Sequence, residues 1–293
     1  MNRENIAVLF ARPAASQGQV DSFELESHAL EALGIDAAWV SMEGLVDEEA
    51  HHELEHVAEV PGRTWLYRGW MLTEDEYASL AEAVESRGEQ LFVSPDEYAL
   101  TLYFPNYYEF IRANTARSVW TESANIDEAW ELAQRIPGPP WFLKDHVKSA
   151  KEAWRDACVV PPDATREEFA AVCQALLDAR AERFERGFVL REWLTLQELP
   201  AQGPNGEPLF DEHRLVFLDG ALVAHAPYHD VEAEGPALAS FEFLADIDSP
   251  FFTADVARQA SGDWCVVELN DGGVSTFPPL MDPRDFYRRI AHL

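Results

Sequence analysis

At 293 residues the chain is long enough to bury a substantial core and to divide into two or three lobes. Its 53 acidic residues against 22 basic ones give a formal net charge of −31, which favours solubility and argues against a general coat for nucleic acid, leaving room only for a local basic cleft. Three cysteines, Cys158, Cys173 and Cys265, show no CxxC spacing and imply no disulfide framework, so reduced thiols in a cytoplasm are expected; the first apolar run, Ile6 to Ala11, is too short for a signal or membrane segment.

Ile6 to Ala11 reads as a buried strand, Phe23 to Leu33 as a helix with Glu and His on its wet side, and Ala37 to Val40 as a second strand, the spacing of a βαβ unit. The stretch His52-Glu53-Leu54-Glu55-His56 spells His-Glu-x-x-His, which on a helix would place both imidazoles on one face for zinc with a glutamate as general base. Glu55 at an intervening position and the acidic run before it describe a solvated surface helix instead. The motif is therefore expected to be non-catalytic, with incidental zinc affinity at most. Thr64 to Tyr67 gives another strand, and Thr73 with Glu76 forms a capping box for a helix whose apolar stripe is Tyr77, Leu80, Ala81 and Val84. Gln90 to Val93 closes the unit and Ser94-Pro95 breaks it, so the first hundred or so residues read as a small parallel-sheet domain. Two readings of Arg68 stand side by side: a contact to a second substrate together with Trp70, or a strand-end arginine packed beside that tryptophan. The aromatic cluster at 103–108 reads as hydrophobic packing in a bridge to the next lobe.

After the loop Pro137-Gly138-Pro139-Pro140, a short apolar run feeds directly into Lys144 and Lys148, two compact cations four residues apart beside Lys151. Thr165 caps a periodic helix, roughly Arg166 to Arg183, with Phe169, Val172, Cys173, Leu176 and Leu177 on one face. Gly187 to Leu194 reads as a buried strand interrupted by the adjacent pair Arg191-Glu192, costly unless partnered. A polar loop surrounds Gln202 to Gly206. Glu212 to Val223 gives a hairpin about Asp219-Gly220, with Arg214 at its start. Trp264 to Asn270 is an apolar strand ending in Glu268-x-Asn270 before Gly272-Gly273, with Asp255 upstream. Side chains at i and i+2 of a strand share a face, so Glu268 and Asn270 offer two oxygen ligands to one point, a plausible seat for Mg²⁺ held with nucleotide phosphates.

Taken in order, these elements resemble the ATP-grasp superfamily over roughly Pro140 to Gly273. The compact Lys-x-x-x-Lys-Ser segment and the stretch Leu66 to Leu72 resemble its predicted ligase clade named for one arginine and two lysines. The resemblance implies an α/β fold: an N-terminal parallel-sheet domain over 1–105, then the two α+β subdomains of an ATP-grasp, 106–186 with the phosphate-binding lysines and 187–293 with the hinge strand and metal site. It implies that Lys144, Lys148, Arg191, Glu192, Trp193 and Arg214 bind ATP, that Lys148 and Arg214 act on the transferring phosphate, and that Asp255, Glu268 and Asn270 hold Mg²⁺. The chain departs from the family in having no glycine from Asp145 to Lys151, so side chains rather than a backbone nest would grip phosphate. The implied activity is a ligase that activates a carboxylate as an acylphosphate and joins it to an amine, on an amino-acid or peptide substrate. The alternatives are an RNA-end ligase of the same fold, which the net charge disfavours, and a nucleotide-binding partner protein without turnover. No membrane partner is implied.

Overall fold

The computed structural model describes residues 5–12, 23–47, 49–150, 153–203, 208–231 and 233–291. Lys151 and residues 204–206 of the polar loop lie outside the described residues. The chain forms two compact units, one built from Met1–Thr101, Glu212–Asp255 and Leu269–Leu293, the other from Leu102–Asp211 and Val256–Glu268.

In the first unit the order is β1 (Ile6–Arg12), α1 (Glu24–Leu33), β2 (Ala37–Ser41), α2 (Met42–Val46), α3 (Ala50–Leu54), β3 (Thr64–Arg68), α4 (Glu74–Glu85), β4 (Gln90–Leu91) and α5 (Pro95–Leu102), the last residue of which belongs to the second unit. The strands form a parallel sheet ordered β2-β1-β3-β4, in register from Phe10 to both Trp39 and Arg68. Continuous apolar runs make its central strands, because a parallel sheet is covered on both faces: Ala7 to Ala11 and Thr64 to Arg68 are buried throughout. The Thr73–Glu76 capping box is present, with Thr73 accepting from the Glu76 N–H and Glu76 from the Thr73 N–H. Pro95 begins α5 rather than merely ending the sheet segment, as a proline does readily at a helix's first turn.

The second unit holds α6 (Phe104–Ile111), β5 (Ser118–Trp120), α7 (Ile126–Ala133), β6 (Trp141–Asp145), α8 (Trp154–Ala157), β7 (Val159–Val160), α9 (Arg166–Arg180), β8 (Phe188–Glu192), β9 (Glu198–Gln202) and β10 (Pro208–Phe210). Its antiparallel sheet runs β5-β8-β6-β7. Trp141 and Leu143 of β6 and Phe188 and Leu190 of β8 bury one face against Phe169, Cys173 and Leu176 of α9. Period-two alternation turns Lys144 and Arg191 to the other face. The last three residues expected for the α9 helix, Ala181–Arg183, tighten into a 3-10 turn.

β11 (Glu212–Leu218) and β12 (Ala221–Pro227) make the hairpin about Asp219-Gly220, both residues at positive φ. They continue a sheet ordered β12-β11-β13-β14 with β13 (Phe251–Arg258) and β14 (Trp264–Asp271), two strands that each carry the chain from one unit to the other. A 3-10 turn at Gly272–Val274 and the helix α10 (Pro283–Ile290) complete the first unit. The fold is thus α/β, with a parallel N-terminal sheet followed by antiparallel ones. No helix among the described residues is long and apolar enough to cross a membrane, and all three cysteines are buried free thiols.

Candidate active site

In the second unit the face of the β6–β8 pair turned away from α9 collects charge. Lys144 is almost fully buried, and its Nζ donates to the Val147 carbonyl at 2.9 Å and stands 3.6 Å from Glu268 Oε2. Burial pushes the ammonium down to a pKa of about 8, with the charge of Glu268 acting in the opposite direction. The floor beneath it is Phe104, whose ring centroid lies 5.8 Å from Lys144 Nζ and 5.0 Å from the Arg191 guanidinium carbon. Phe104 itself packs edge-on or tilted against Tyr107, Tyr108 and Trp120. The aromatic cluster read as plain packing is therefore the surface on which two cations rest.

Lys148 is set by a residue the sequence reading passed over. Asp145 Oδ1 accepts from the Val147 N–H at 2.7 Å and the Lys148 N–H at 2.5 Å, and the Asp145 N–H donates to the Lys148 carbonyl at 3.0 Å. The second oxygen of Asp145 takes Arg180 Nε at 2.7 Å. This Asx-type turn bends the chain at the end of β6 so that both lysines emerge from one tight corner, the work a glycine-rich segment would do by backbone freedom. The signal was present in the order Asp145-His146-Val147-Lys148, an aspartate two and three residues ahead of the amides it caps.

Arg191 is tied to the backbone of β14: Nη1 donates to the Val267 carbonyl at 2.7 Å, and Nη2 donates to Thr115 Oγ1 at 2.8 Å, while that hydroxyl donates to the Val266 carbonyl at 2.7 Å. In this arrangement it holds the strand that presents Glu268. Glu192 and Trp193, half-buried at the exit of β8, follow it; the Glu192 N–H donates to the Arg117 carbonyl at 2.8 Å.

In the first unit Arg214 of β11 and Asp255 of β13 form a two-pronged pair, Nε to Oδ1 at 2.8 Å and Nη2 to Oδ2 at 2.7 Å. Arg214 Nη1 also donates to the Thr276 carbonyl at 2.7 Å, and the Tyr228 ring lies 4.9 Å from its guanidinium carbon. An ionised carboxylate has about four lone-pair directions, so Asp255 keeps acceptor capacity beyond the arginine. Asn270 is buried near the end of β14, two residues past Glu268. Asp255 and Asn270 in the first unit, and Glu268 in the second, each carry a hard oxygen donor of the kind Mg²⁺ takes. Among the described residues no group of three or more His, Cys, Asp or Glu could hold a metal by itself.

A family model matches residues 134–290, more than half of the chain: the ATP-grasp domain of the clade named for one arginine and two lysines, family 3. The chain belongs to that family. ATP with Mg²⁺ is accordingly its cofactor. No curated protein matches it by sequence. Among solved structures it is similar to a RimK domain protein ATP-grasp from Sphaerobacter thermophilus DSM 20745, 15% identical with a TM-score of 0.60 over 98% of this chain and 100% of that one. D-cycloserine synthetase DcsG is similar to the same degree, 15% identical at TM-score 0.60 over 98% and 100%. The ATP-grasp ligase PsnB, complexed with minimal precursor, Mg and ADP, is 11% identical at TM-score 0.55 over 97% of each chain. At such identities these likenesses concern the ATP-grasp fold alone.

The His52/His56 motif stands apart from this chemistry. The helix α3 ends at Leu54, short of His56; His52 Nδ1 lies 3.4 Å from Glu55 in an exposed pair, and Glu53 accepts the Ser41 N–H at 2.7 Å. A Cβ on Gly44 would overlap the Glu53 side chain, so that glutamate is built into the α2–α3 corner rather than held for a zinc-bound water. Replacing His52 and His56 together by alanine is expected to leave the melting temperature and ATP titration unchanged. Stoichiometric zinc in protein purified without added metal, lost in the double variant, would contradict this.

Proposed function

We propose that this ATP-grasp protein activates a carboxylate with Mg-ATP as an acylphosphate and transfers the acyl group to an amine, on an amino-acid or peptide substrate. The observation that carries the reading is the Lys144–Glu268 apposition: a buried cation over an aromatic floor and a half-buried carboxylate, each near the end of a strand, stand 3.6 Å apart. A buried ion pair is weak evidence of stabilisation. It makes sense where the cation meets phosphate oxygens and the carboxylate meets a metal.

In this reading Lys144 and Lys148 bind phosphate oxygens and oppose charge building on the transferring group, and Arg214, its plane fixed by Asp255, is a further cation for phosphate oxygens. The backbone that follows Glu192, whose own N–H is taken by the Arg117 carbonyl, would meet the adenine edge near Trp193 at the exit of β8. Arg191 positions β14. Asp255, Glu268 and Asn270 would hold Mg²⁺, which supplies neutralisation of the phosphates when bound. The substrate carboxylate attacks the γ-phosphorus, the bond to the bridging oxygen of ADP breaks, and the amine then displaces phosphate from the acylphosphate carbon, losing its proton to water or buffer. Alignment and charge neutralisation suffice, so no enzyme nucleophile is required. PsnB, whose structures hold a peptide precursor, and DcsG support amino-acid-like and peptide substrates as the first to try. Three buried free thiols suit a reducing cytoplasm.

Millimolar ATP with Mg²⁺ is expected to stabilise the protein by about 2.7 kcal/mol when ligand stands a hundredfold above its dissociation constant. An unmoved melting temperature would sink the reading. ADP release measured over amino acids, peptides and short RNA then discriminates substrates: stimulation by a carboxylate and amine pair supports the ligase, stimulation by RNA alone opposes it, and ATP binding without turnover on any of them points to a sensor.

A further inference from the structure

Arg68 closes β3 in the first unit and has no exposed surface. A guanidinium removed wholly from water is tolerable only with its charge and its donors matched. Its Nε donates to Glu26 Oε2 at 2.8 Å and Nη2 to Glu26 Oε1 at 2.6 Å, a two-pronged pair with α1. Glu26 takes a third hydrogen bond from the Tyr287 hydroxyl of α10 at 2.5 Å, and the rings of Phe23 and Phe277 lie 5.2 and 4.7 Å from the guanidinium carbon. Burial thus closes off a substrate contact at Arg68, and the rings it packs beside are Phe23 and Phe277 rather than the exposed Trp70.

The remaining nitrogen, Nη1, donates to the carbonyl oxygens of Gly272 and of Ser275, the latter at 2.8 Å. Both belong to the turn that ends β14. Further bonds fix the same turn: the Gly69 N–H donates to the Gly273 carbonyl at 3.1 Å, Asp271 Oδ1 accepts the Gly273 N–H at 2.8 Å, and Ser275 Oγ donates to the Asp271 carbonyl at 2.8 Å. The approach is close enough to require glycine twice. A Cβ on Gly272 would meet the Phe251 ring, and one on Gly273 would come within 2.7 Å of the Tyr67 carbonyl oxygen.

We propose that Arg68, oriented by Glu26 and Tyr287, is a positioning residue for the metal-binding end of β14. By holding the carbonyls of residues 272 and 275 it fixes the strand two residues earlier, at Asn270. The inference rests on the reading of Asn270 as a Mg²⁺ ligand. Mg²⁺ demands near-ideal octahedral geometry at about 2.0–2.1 Å, so small displacements of a ligand reduce its affinity, and partners that orient ligands typically contribute about 10- to 100-fold. A merely structural arginine would lower stability while leaving the Mg²⁺ response of the folded protein alone.

The test is calorimetric titration of the full chain with ATP over a series of Mg²⁺ concentrations, for wild type, Arg68→Lys and Tyr287→Phe, with folding checked by circular dichroism. Lysine keeps the charge and loses the fork that spans Glu26 and two carbonyls. In Arg68→Lys the Mg²⁺ concentration giving half the gain in ATP affinity should rise about tenfold or more, with metal-free ATP affinity unchanged. Tyr287→Phe removes one hydrogen bond from Glu26 and should shift the midpoint the same way by less. An unchanged midpoint in folded Arg68→Lys overturns the proposal, as does equal loss of metal-free binding. Should Arg68→Lys fail to fold, an unchanged midpoint in Tyr287→Phe overturns it. A wild type whose ATP affinity ignores Mg²⁺ removes the metal reading of β14 itself, and this inference with it.

Discussion

Lys144→Met is expected to cut ATP affinity about 10- to 100-fold, in Mg²⁺ and without it, while leaving the melting temperature at or above that of wild type. The two halves follow from one geometry. The ammonium is buried, depressed toward a pKa of about 8 by loss of water, and offset by a carboxylate 3.6 Å away. Removing one partner of a fully buried ion pair strands the other charge and destabilises, but Glu268 keeps 18% of its side chain exposed and retains water when Lys144 is lost, while the buried ammonium no longer has to be desolvated. The hydrogen bond a charged lysine makes to a phosphate oxygen is worth about 1.5–3 kcal/mol, hence the expected loss in affinity. Since the contact is direct, metal does not rescue it. Calorimetry with ATP and a thermal melt of the same preparation check both halves. Wild-type affinity in Lys144→Met would remove this lysine from the phosphate site; a lowered melting temperature would show that the ion pair serves the fold.

How much of this corner was legible in the sequence depends on how local its determinants are. The strand β3, the capping box of α4 and the hairpin about Asp219-Gly220 are set by neighbours a few residues apart, and periodicity and turn chemistry reveal them. Lys144, Lys148, Glu268 and Asn270 could be picked out because each stands at the polar end of an apolar run. Arg68 could not be understood that way: its partners Glu26 and Gly272 lie 42 and 204 residues away along the chain. Arg191 was likewise read by resemblance as a nucleotide contact, whereas the bonds it makes are to Thr115 and to Val267, 76 residues off in either direction. The β9–β10 hairpin went unread because Pro200 stands in the middle of Glu198–Gln202 and only Leu199 and Ala201 give it an apolar face. That face is only half-buried, too weak a pattern to declare a strand.

Glu268→Gln is expected to retain metal-free ATP binding and to lose most of the gain that Mg²⁺ confers, with ligase turnover falling by about 10²-fold or more. Removing the carboxylate takes away the charged ligand proposed on β14, and a neutral amide is a poorer donor to a small hard dication. The same change deprives Lys144 of its counter-charge, but phosphate oxygens bring a new one, so the lysine contact survives and metal-free affinity with it. Lys144→Met and Glu268→Gln should therefore differ in a way no shared folding defect could produce: the first weakens ATP at every Mg²⁺ concentration, and the second flattens only the Mg²⁺ dependence. In the double variant the losses should not add at saturating Mg²⁺, because the two groups are in contact and act on the same phosphates. Paired calorimetric titrations of the two single variants and the double variant, with Mg²⁺ and with chelator, read this directly. A Glu268→Gln protein that responds to Mg²⁺ as wild type does would take the metal away from the end of β14.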